Sequence, residues 1–241
     1  MHSLPDITVV LPVYNEESNL TPLCDELLAV LSNLPGRSWE VLFVDDGSHD
    51  NSRSVLRELA QNRHRVHFIA FPRNYGQSAA FSAGFQAAKG GIIITMDADM
   101  QNDPADIPAM LAEYGMGADM VIGWRKNRQD SWKRRVASRI GNALRNWLVG
   151  ESVSDTGCSL KVMRADMVRQ IPVFTGMHRF LPALMRMQGA RIVEMPVNHR
   201  PRLHGVSKYG AIDRARKGLF DLFAVRWMQR RILRYDIEEK H

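Results

Sequence analysis

Read from its N-terminus, the chain alternates short, almost wholly apolar runs with longer stretches in which apolar residues recur every three or four positions. Ile7–Val13, Trp39–Asp45, Val66–Phe71, Ile92–Asp97 and Met120–Gly123 have the length and β-branched content of strands. Glu16–Ser32, Asn51–Asn62, Gln77–Lys89 and Asp106–Tyr114 carry the helical period between them. Such alternation predicts βαβ units. Strands apolar on both faces predict a mostly parallel central sheet with helices on either side, an α/β fold of the Rossmann-like kind. In open sheets of that type ligands sit beyond the carboxyl ends of the strands, so the polar residues that follow each strand are the candidates for chemistry.

Beyond Gly123 the pattern changes. A basic stretch, Arg125–Arg145, holds eight Lys and Arg against one acid, and extended segments follow at Cys158–Met163 and Arg191–Val197. Pro201–Gly210 reads as a mobile loop, and a helical segment runs from about Gly210 to Tyr235. With 241 residues the chain suits one α/β domain, expected over 1–209, and a basic and apolar C-terminal helix over 210–241.

Composition narrows the function classes. Hydrophobic residues at 45% and charged ones at 24% exclude collagen-like and disordered chains. Two cysteines, Cys24 and Cys158, lie far apart without metal-ligand neighbours, which excludes a disulfide scaffold or zinc site and points to a reducing, cytoplasmic setting. Ile7–Val13 lacks a basic lead-in and a small-residue cleavage site, so it reads as a strand and not as a signal peptide. The net charge of +6 conceals a division: −9 over Met1–Ile122 and +15 over Gly123–His241. An acidic half can hold a cation and a basic half can meet an anion, whether nucleic acid, lipid or phosphate.

Three strand ends stand out. The first runs Leu11-Pro12-Val13-Tyr14-Asn15-Glu16, where Tyr14 offers a flat ring for a base and Glu16 sits at a helix start favoured by the dipole. The second ends in Asp45-Asp46-Gly47-Ser48, whose carboxylates can accept from a base imide or ribose hydroxyls while Ser48 or Asp50 caps the next helix. The fourth ends in Asp97-Ala98-Asp99-Met100-Gln101. Residues two apart on an extended strand point the same way, so Asp97, Asp99 and Gln101 can present three oxygens to one hard cation, Mg²⁺ or Mn²⁺.

In this order and spacing, these motifs resemble the family-two glycosyltransferases with the GT-A nucleotide-sugar-binding fold. The resemblance is closest to polyprenol-phosphate sugar synthases of the dolichol-phosphate mannose synthase group. It extends through Arg73-Asn74-Tyr75-Gly76, Gly123-Trp124-Arg125, Asp155-Thr156-Gly157-Cys158 and Arg202–Gly210. It implies that Pro12, Tyr14, Glu16 and Asp45 contact the nucleotide of the donor and that Asp97, Asp99 and Gln101 bind the metal. Arg202 and Lys208 would close over the donor phosphates. Arg125, Arg134 and Ser138 would hold a polyprenyl phosphate acceptor, which arrives already ionised and needs positioning cations more than a general base. Arg134 and Ser138 are four apart and share one helix face.

Two other readings stay open: transfer to a hydroxyl with Asp155 as base, and a non-enzymatic nucleic-acid-binding domain, against which Asp97 and Asp99 argue by repelling a phosphate backbone. Leu219–Met228 is apolar at eight of ten positions and flanked by arginines, too short to span a bilayer but suited to its interface. Many relatives continue into membrane-spanning helices where this sequence reaches His241, so a soluble subtype, a truncated chain or a separate membrane-anchoring subunit are all compatible with it.

Overall fold

The five apolar runs of the first half all become strands in the computed structural model, which describes residues 4–125, 150, 153–201, 211–233 and 239. These are β1 (Ile7–Val13), β2 (Trp39–Asp45), β3 (Val66–Ala70), β4 (Ile92–Thr95) and β5 (Met120–Trp124). Between them lie α1 (Glu17–Ser32), α2 (Ser52–Asn62), α3 (Gln77–Ala87) and α4 (Ile107–Gly115). The second half adds β6 (Lys161–Arg164), α5 (Ala165–Val168), α6 (Leu181–Met187), β7 (Ile192–Pro196) and α7 (Ala211–Arg231). Arg134, Ser138, Arg202 and Lys208, with the loop expected at 201–210 from Arg202 onward, lie outside the described residues.

One sheet joins all seven strands in the order β3-β2-β1-β4-β6-β5-β7. Neighbours run parallel except around β6, which is antiparallel to both β4 and β5. From β1 the chain builds outward through β2 to β3, then returns to place β4 on the other side of β1. The connections after β1 and β4 therefore leave in opposite directions and open a crevice at the carboxyl ends of these strands, the place where α/β sheets bind ligands.

Two apolar layers hold the helices on. On one face Val9 and Leu11 pack with Leu20, Leu23 and Leu27 of α1 and Met110 of α4. On the other, Val10 and Val44 pack with Phe81 and Phe85 of α3, Leu184 of α6 and Leu222 and Val225 of α7. Alternating β1 residues thus serve opposite layers, as expected of a strand buried on both sides.

The approach of α3 to β1 is set by a glycine. A Cβ on Gly84 would fall 2.3 Å from Val10 Cγ1, so only hydrogen lets the helix sit this close, and the same helix carries Gln77 to the carboxyl end of β4. Gly84→Ala is expected to cost about 1–3 kcal/mol of stability despite the better helix propensity of alanine, because the added methyl overpacks the layer. Gly91→Ala, whose Cβ meets nothing within 4 Å, serves as the control in a denaturant titration. Equal midpoints for the two variants would contradict this account.

Candidate active site

At the end of β1, Pro12, Tyr14 and Glu16 are half-buried. Asn15 adopts φ 55°, a left-handed conformation that asparagine tolerates and that turns the chain sharply into α1. Its amide donates to Ser48 Oγ (2.9 Å), and its Oδ1 accepts from the His49 amide (2.8 Å). The Glu16 amide donates to Ser52 Oγ (2.9 Å), while the Glu16 carboxylate takes the Asn19 amide group (2.7 Å). These bonds stitch the β1 exit to the loop after β2 and set the Tyr14 ring edge-on to His49, centroids 6.2 Å apart.

Asp45, expected to contact a nucleotide, is fully buried, with Oδ1 accepting from the Ser48 amide (3.0 Å) and Oδ2 from Arg53 Nε (2.9 Å). Arg53 continues to the carbonyl of Phe71. The carboxylate is committed within the protein because a buried anion needs donors, and α2 supplies a guanidinium to it. Asp46 is buried too, accepting from the amides of Tyr75 (2.7 Å) and Gly76 (2.9 Å) and from Asn74 Nδ2 (2.9 Å). Burial raises its pKa, and those amides counteract the rise. Gly47 has φ 69°, and a Cβ there would lie 2.2 Å from the Arg73 carbonyl carbon. The motifs Asp45–Ser48 and Arg73–Gly76 are thus two halves of one packed loop pair.

Beyond β4 the alternation continues although the strand has ended. Met96, Ala98 and Met100 all enter the apolar layer beneath α1 and α4, which leaves Asp97, Asp99 and Gln101 on the opposite side. Met100 reaches its place with φ 62°. Asp97 Oδ1 accepts from Gln77 Nε2 (2.8 Å) at the N-terminus of α3, and the Asp97 amide faces Ser159 Oγ (3.3 Å). Asp99 is 7% exposed, with Oδ1 accepting from the Gln101 amide (3.2 Å). Gln101 Nε2 lies 3.5 Å from His199 Nε2. Burial, reinforced by the negative charge of Asp99, pushes Asp97 up to about 6. The positive charges of Lys161 and Arg125 and the Ser159 hydroxyl offset that rise only in part.

The donor set fits a small hard cation. It offers carboxylate and carboxamide oxygens only, and among the described residues no group of three or more His, Cys, Asp or Glu side chains is assembled to hold a metal ion. Mg²⁺ and Mn²⁺ suit such a site, since they take remaining ligands from water and substrate phosphate.

At the end of β5, Arg125 forms a bidentate pair with Asp155, Nε to Oδ2 at 2.7 Å and Nη2 to Oδ1 at 2.9 Å. Both side chains are largely buried, at 15% and 8% exposure. A Cβ on Gly157 would lie 3.1 Å from Arg125 Nη2, so glycine admits the flat guanidinium. The charge of Arg125 reaches Asp97. Lys161, at the start of β6, is 3% exposed and donates from Nζ to the Cys158 carbonyl.

The structure therefore brings together Asp97, Asp99, Gln101, Arg125 and Asp155 from the residues named in the sequence, and adds Gln77, Lys161 and His199. Lys161 left one signal in the sequence, a lone charge inside the extended run Cys158–Met163. Gln77 and His199 left none, because nothing local ties them to the fourth strand.

The comparisons agree with this geometry. The family described as Glycosyl transferase family 2 matches residues 8–171. The dodecaprenyl-phosphate galacturonate synthase of Rhizobium johnstonii is 40% identical over 230 residues, 93% of this chain and 68% of that protein. The undecaprenyl-phosphate 4-deoxy-4-formamido-L-arabinose transferase of Edwardsiella ictaluri is 42% identical over 205 residues, 85% of this chain and 63% of that protein. The chain thus spans about two thirds of the length of these curated relatives. Among solved structures, glucosyl-3-phosphoglycerate synthase from Mycobacterium tuberculosis, with Mn²⁺, UDP and phosphoglyceric acid, superposes with a TM-score of 0.67 at 19% identity, covering 95% of this chain and 80% of that one. A mannosyltransferase from Pyrobaculum calidifontis with GDP-Man and Mn²⁺ gives a TM-score of 0.65 at 19% identity, covering 92% and 64%. The likeness to these structures is one of fold, and that fold is the GT-A fold of glycosyltransferases. With its motifs at the strand ends and two thirds of its length matched to one family, the chain belongs to glycosyl transferase family 2.

Proposed function

We propose that the protein transfers one sugar, with inversion, from a nucleotide-diphosphate sugar to a polyprenyl phosphate at the surface of a membrane. The observation that carries this reading is the Arg125–Asp155 pair beside Asp97 and Asp99. Asp155, the carboxylate that would serve as a base for a hydroxyl acceptor, is engaged bidentately by arginine, whereas a phosphate acceptor needs no base. Relatives named for transfer to dodecaprenyl and undecaprenyl phosphate, at 40% and 42% identity, support the same acceptor class.

Asp97, Asp99 and Gln101 would hold Mg²⁺ or Mn²⁺, which when bound neutralises charge on the diphosphate leaving group. Pro12, Tyr14 and Glu16 border the crevice on the side of the donor base. Arg125 holds one edge of the acceptor phosphate, with Arg134 and Ser138 assigned to the rest and Arg202 and Lys208 to the donor phosphates by resemblance. The acceptor oxygen attacks the anomeric carbon in line, and the nucleoside diphosphate departs from the opposite face. Inversion follows from that single displacement.

The C-terminal helix supports the location. Phe220, Phe223 and Trp227 of α7 are 80%, 62% and 63% exposed, while Leu222 and Val225 are buried against the core. The helix thus has an aromatic stripe turned outward, followed by Arg230 and Arg231. No helix among the described residues is long and apolar enough to cross a membrane. Aromatic rings beside arginines suit the headgroup region of an anionic bilayer.

Four outcomes follow. Asp99→Ala is expected to lose at least about 10²-fold in single-turnover transfer. Asp155→Asn, in contrast, is expected chiefly to raise the KM for polyprenyl phosphate by loosening Arg125, and a loss of several orders of magnitude in kcat at unchanged KM would favour a hydroxyl acceptor instead. Asp97→Asn is expected to stabilise the metal-free fold while abolishing transfer. Its parent carboxyl is raised to about 6 from 3.8, so its ionisation costs stability fully above that value and progressively less as the pH falls from 6 towards 4. The gain from the amide should be about 1–3 kcal/mol at pH 8 and vanish near pH 4, measured by urea unfolding. Finally, replacing Phe220, Phe223 and Trp227 together by serine should reduce sedimentation with phosphatidylglycerol vesicles at least about fivefold; unchanged sedimentation would remove α7 from the membrane.

A further inference from the structure

Glu194 is the one charged residue of β7, the last strand in the sheet order, and no step described so far uses it. A charge on such a strand commonly points to water and blocks pairing with another chain. Glu194 is half-buried and accepts three hydrogen bonds from two consecutive residues. Its Oε1 takes the amides of Ser154 (2.8 Å) and Asp155 (3.3 Å), and its Oε2 takes the Ser154 hydroxyl (3.1 Å). Strand register explains the meeting. Glu194 lies opposite Ile122 of β5, and Ile122 and Val153 are buried in one apolar layer, so the residue after Val153 emerges beside the carboxylate.

What Glu194 holds is the cradle of Arg125. Asp155 accepts from the Arg125 amide (3.3 Å) as well as from Nε and Nη2, and Gly157, two residues on, gives the guanidinium room. Side-on pairing through Nε and Nη2 leaves Nη1, which makes no hydrogen bond among the described residues, to meet an anion. Recognition by a planar guanidinium depends on its orientation, and affinity is gained where that plane is fixed before the anion arrives. A carboxylate on a loop fixes the plane only as well as the loop itself is fixed. The amides of Ser154 and Asp155 are where a strand of the sheet takes hold of that loop.

We propose that Glu194 is a positioning residue for the acceptor phosphate: from β7 it locks the segment 154–157 and, through Asp155, the plane of Arg125. This rests on the acceptor role assigned to Arg125 under Proposed function and names the residue on which its affinity depends. Glu194 acts through Asp155 and not on the phosphate. Glutamine can take its place, since a carboxamide oxygen accepts from both amides while Nε2 donates to the Ser154 hydroxyl. The site thus draws on the shape of Glu194 and not on its charge.

The test is calorimetric titration of the full chain with farnesyl phosphate, a short polyprenyl phosphate, in the presence of Mn²⁺ and UDP or GDP. Glu194→Ala should weaken farnesyl phosphate binding at least about tenfold, while Glu194→Gln stays within about threefold of wild type. Affinity for Mn²⁺ with the nucleotide should stay within about twofold in both variants. That readout separates positioning from damage to β7, because the chain leaving β7 also holds the metal end: the Arg200 amide donates to the Gln101 carbonyl (2.9 Å), and Asn102 bridges to His199. A disordered β7 would weaken both ligands. Unchanged farnesyl phosphate binding by Glu194→Ala, equal weakening of both ligands, or a Glu194→Gln variant as weak as the alanine one overturns the proposal. Should Glu194→Ala not fold, hydrogen exchange of the wild type decides. The Ser154 and Asp155 amides should exchange at least about tenfold more slowly than in an unprotected peptide, and exchange at the peptide rate overturns the proposal. Arg125→Gln tests the acceptor role separately: if it binds farnesyl phosphate as tightly as wild type, or if wild type does not bind it, that role fails whatever Glu194 does.

Discussion

A buried carboxylate at the end of β4, Asp97, with burial and the neighbouring Asp99 opposing its charge, is the constraint around which the rest of the site is organised. Asp97 and Asp99 are there because Met96, Ala98 and Met100 are claimed by the core on the other side, so apolar packing dictates an arrangement that electrostatics alone would reject. The surrounding elements relieve the strain piecemeal. Gln77 donates from α3, the Gln101 amide donates locally, and Arg125 and Lys161 lend positive charge from β5 and β6. Relief is incomplete, which is why Asp97 keeps a raised affinity for a proton.

The acids after β2 serve a different end. Asp45 and Asp46 accept from Ser48, Arg53, Asn74, Tyr75 and Gly76. They tie the loop after β2 to the loop after β3 and to the first turn of α2. Beside them Tyr14 and His49 stand at a defined angle.

Much of this architecture was legible in the sequence, because period and burial coincide in the βαβ half. The five strands and four helices there fall within a few residues of their expected bounds, β4 ending two residues early where the chain bends toward Asp97. The alternation through Asp97, Asp99 and Gln101 was legible for the same reason, its apolar members Met96, Ala98 and Met100 all entering one core layer. What remained hidden depends on pairing between distant segments. The antiparallel insertion of β6, the capture of Asp45 by Arg53 and the approach of Gln77 and His199 have no local signature. The short helices α5 and α6 lack the length in which a helical period can be recognised.

The placement of β6 also fixes a dimension. Inserted between β4 and β5, it spaces the strand that carries the carboxylates from the strand that carries Arg125 by two interstrand steps, about 10 Å at the usual separation. The carboxylates and Arg125 are thereby gauged apart by backbone hydrogen bonds, which are far stiffer than any loop. Removing that rung would bring Arg125 onto the carboxylates. The reversed strand β6 is therefore a ruler built into the sheet.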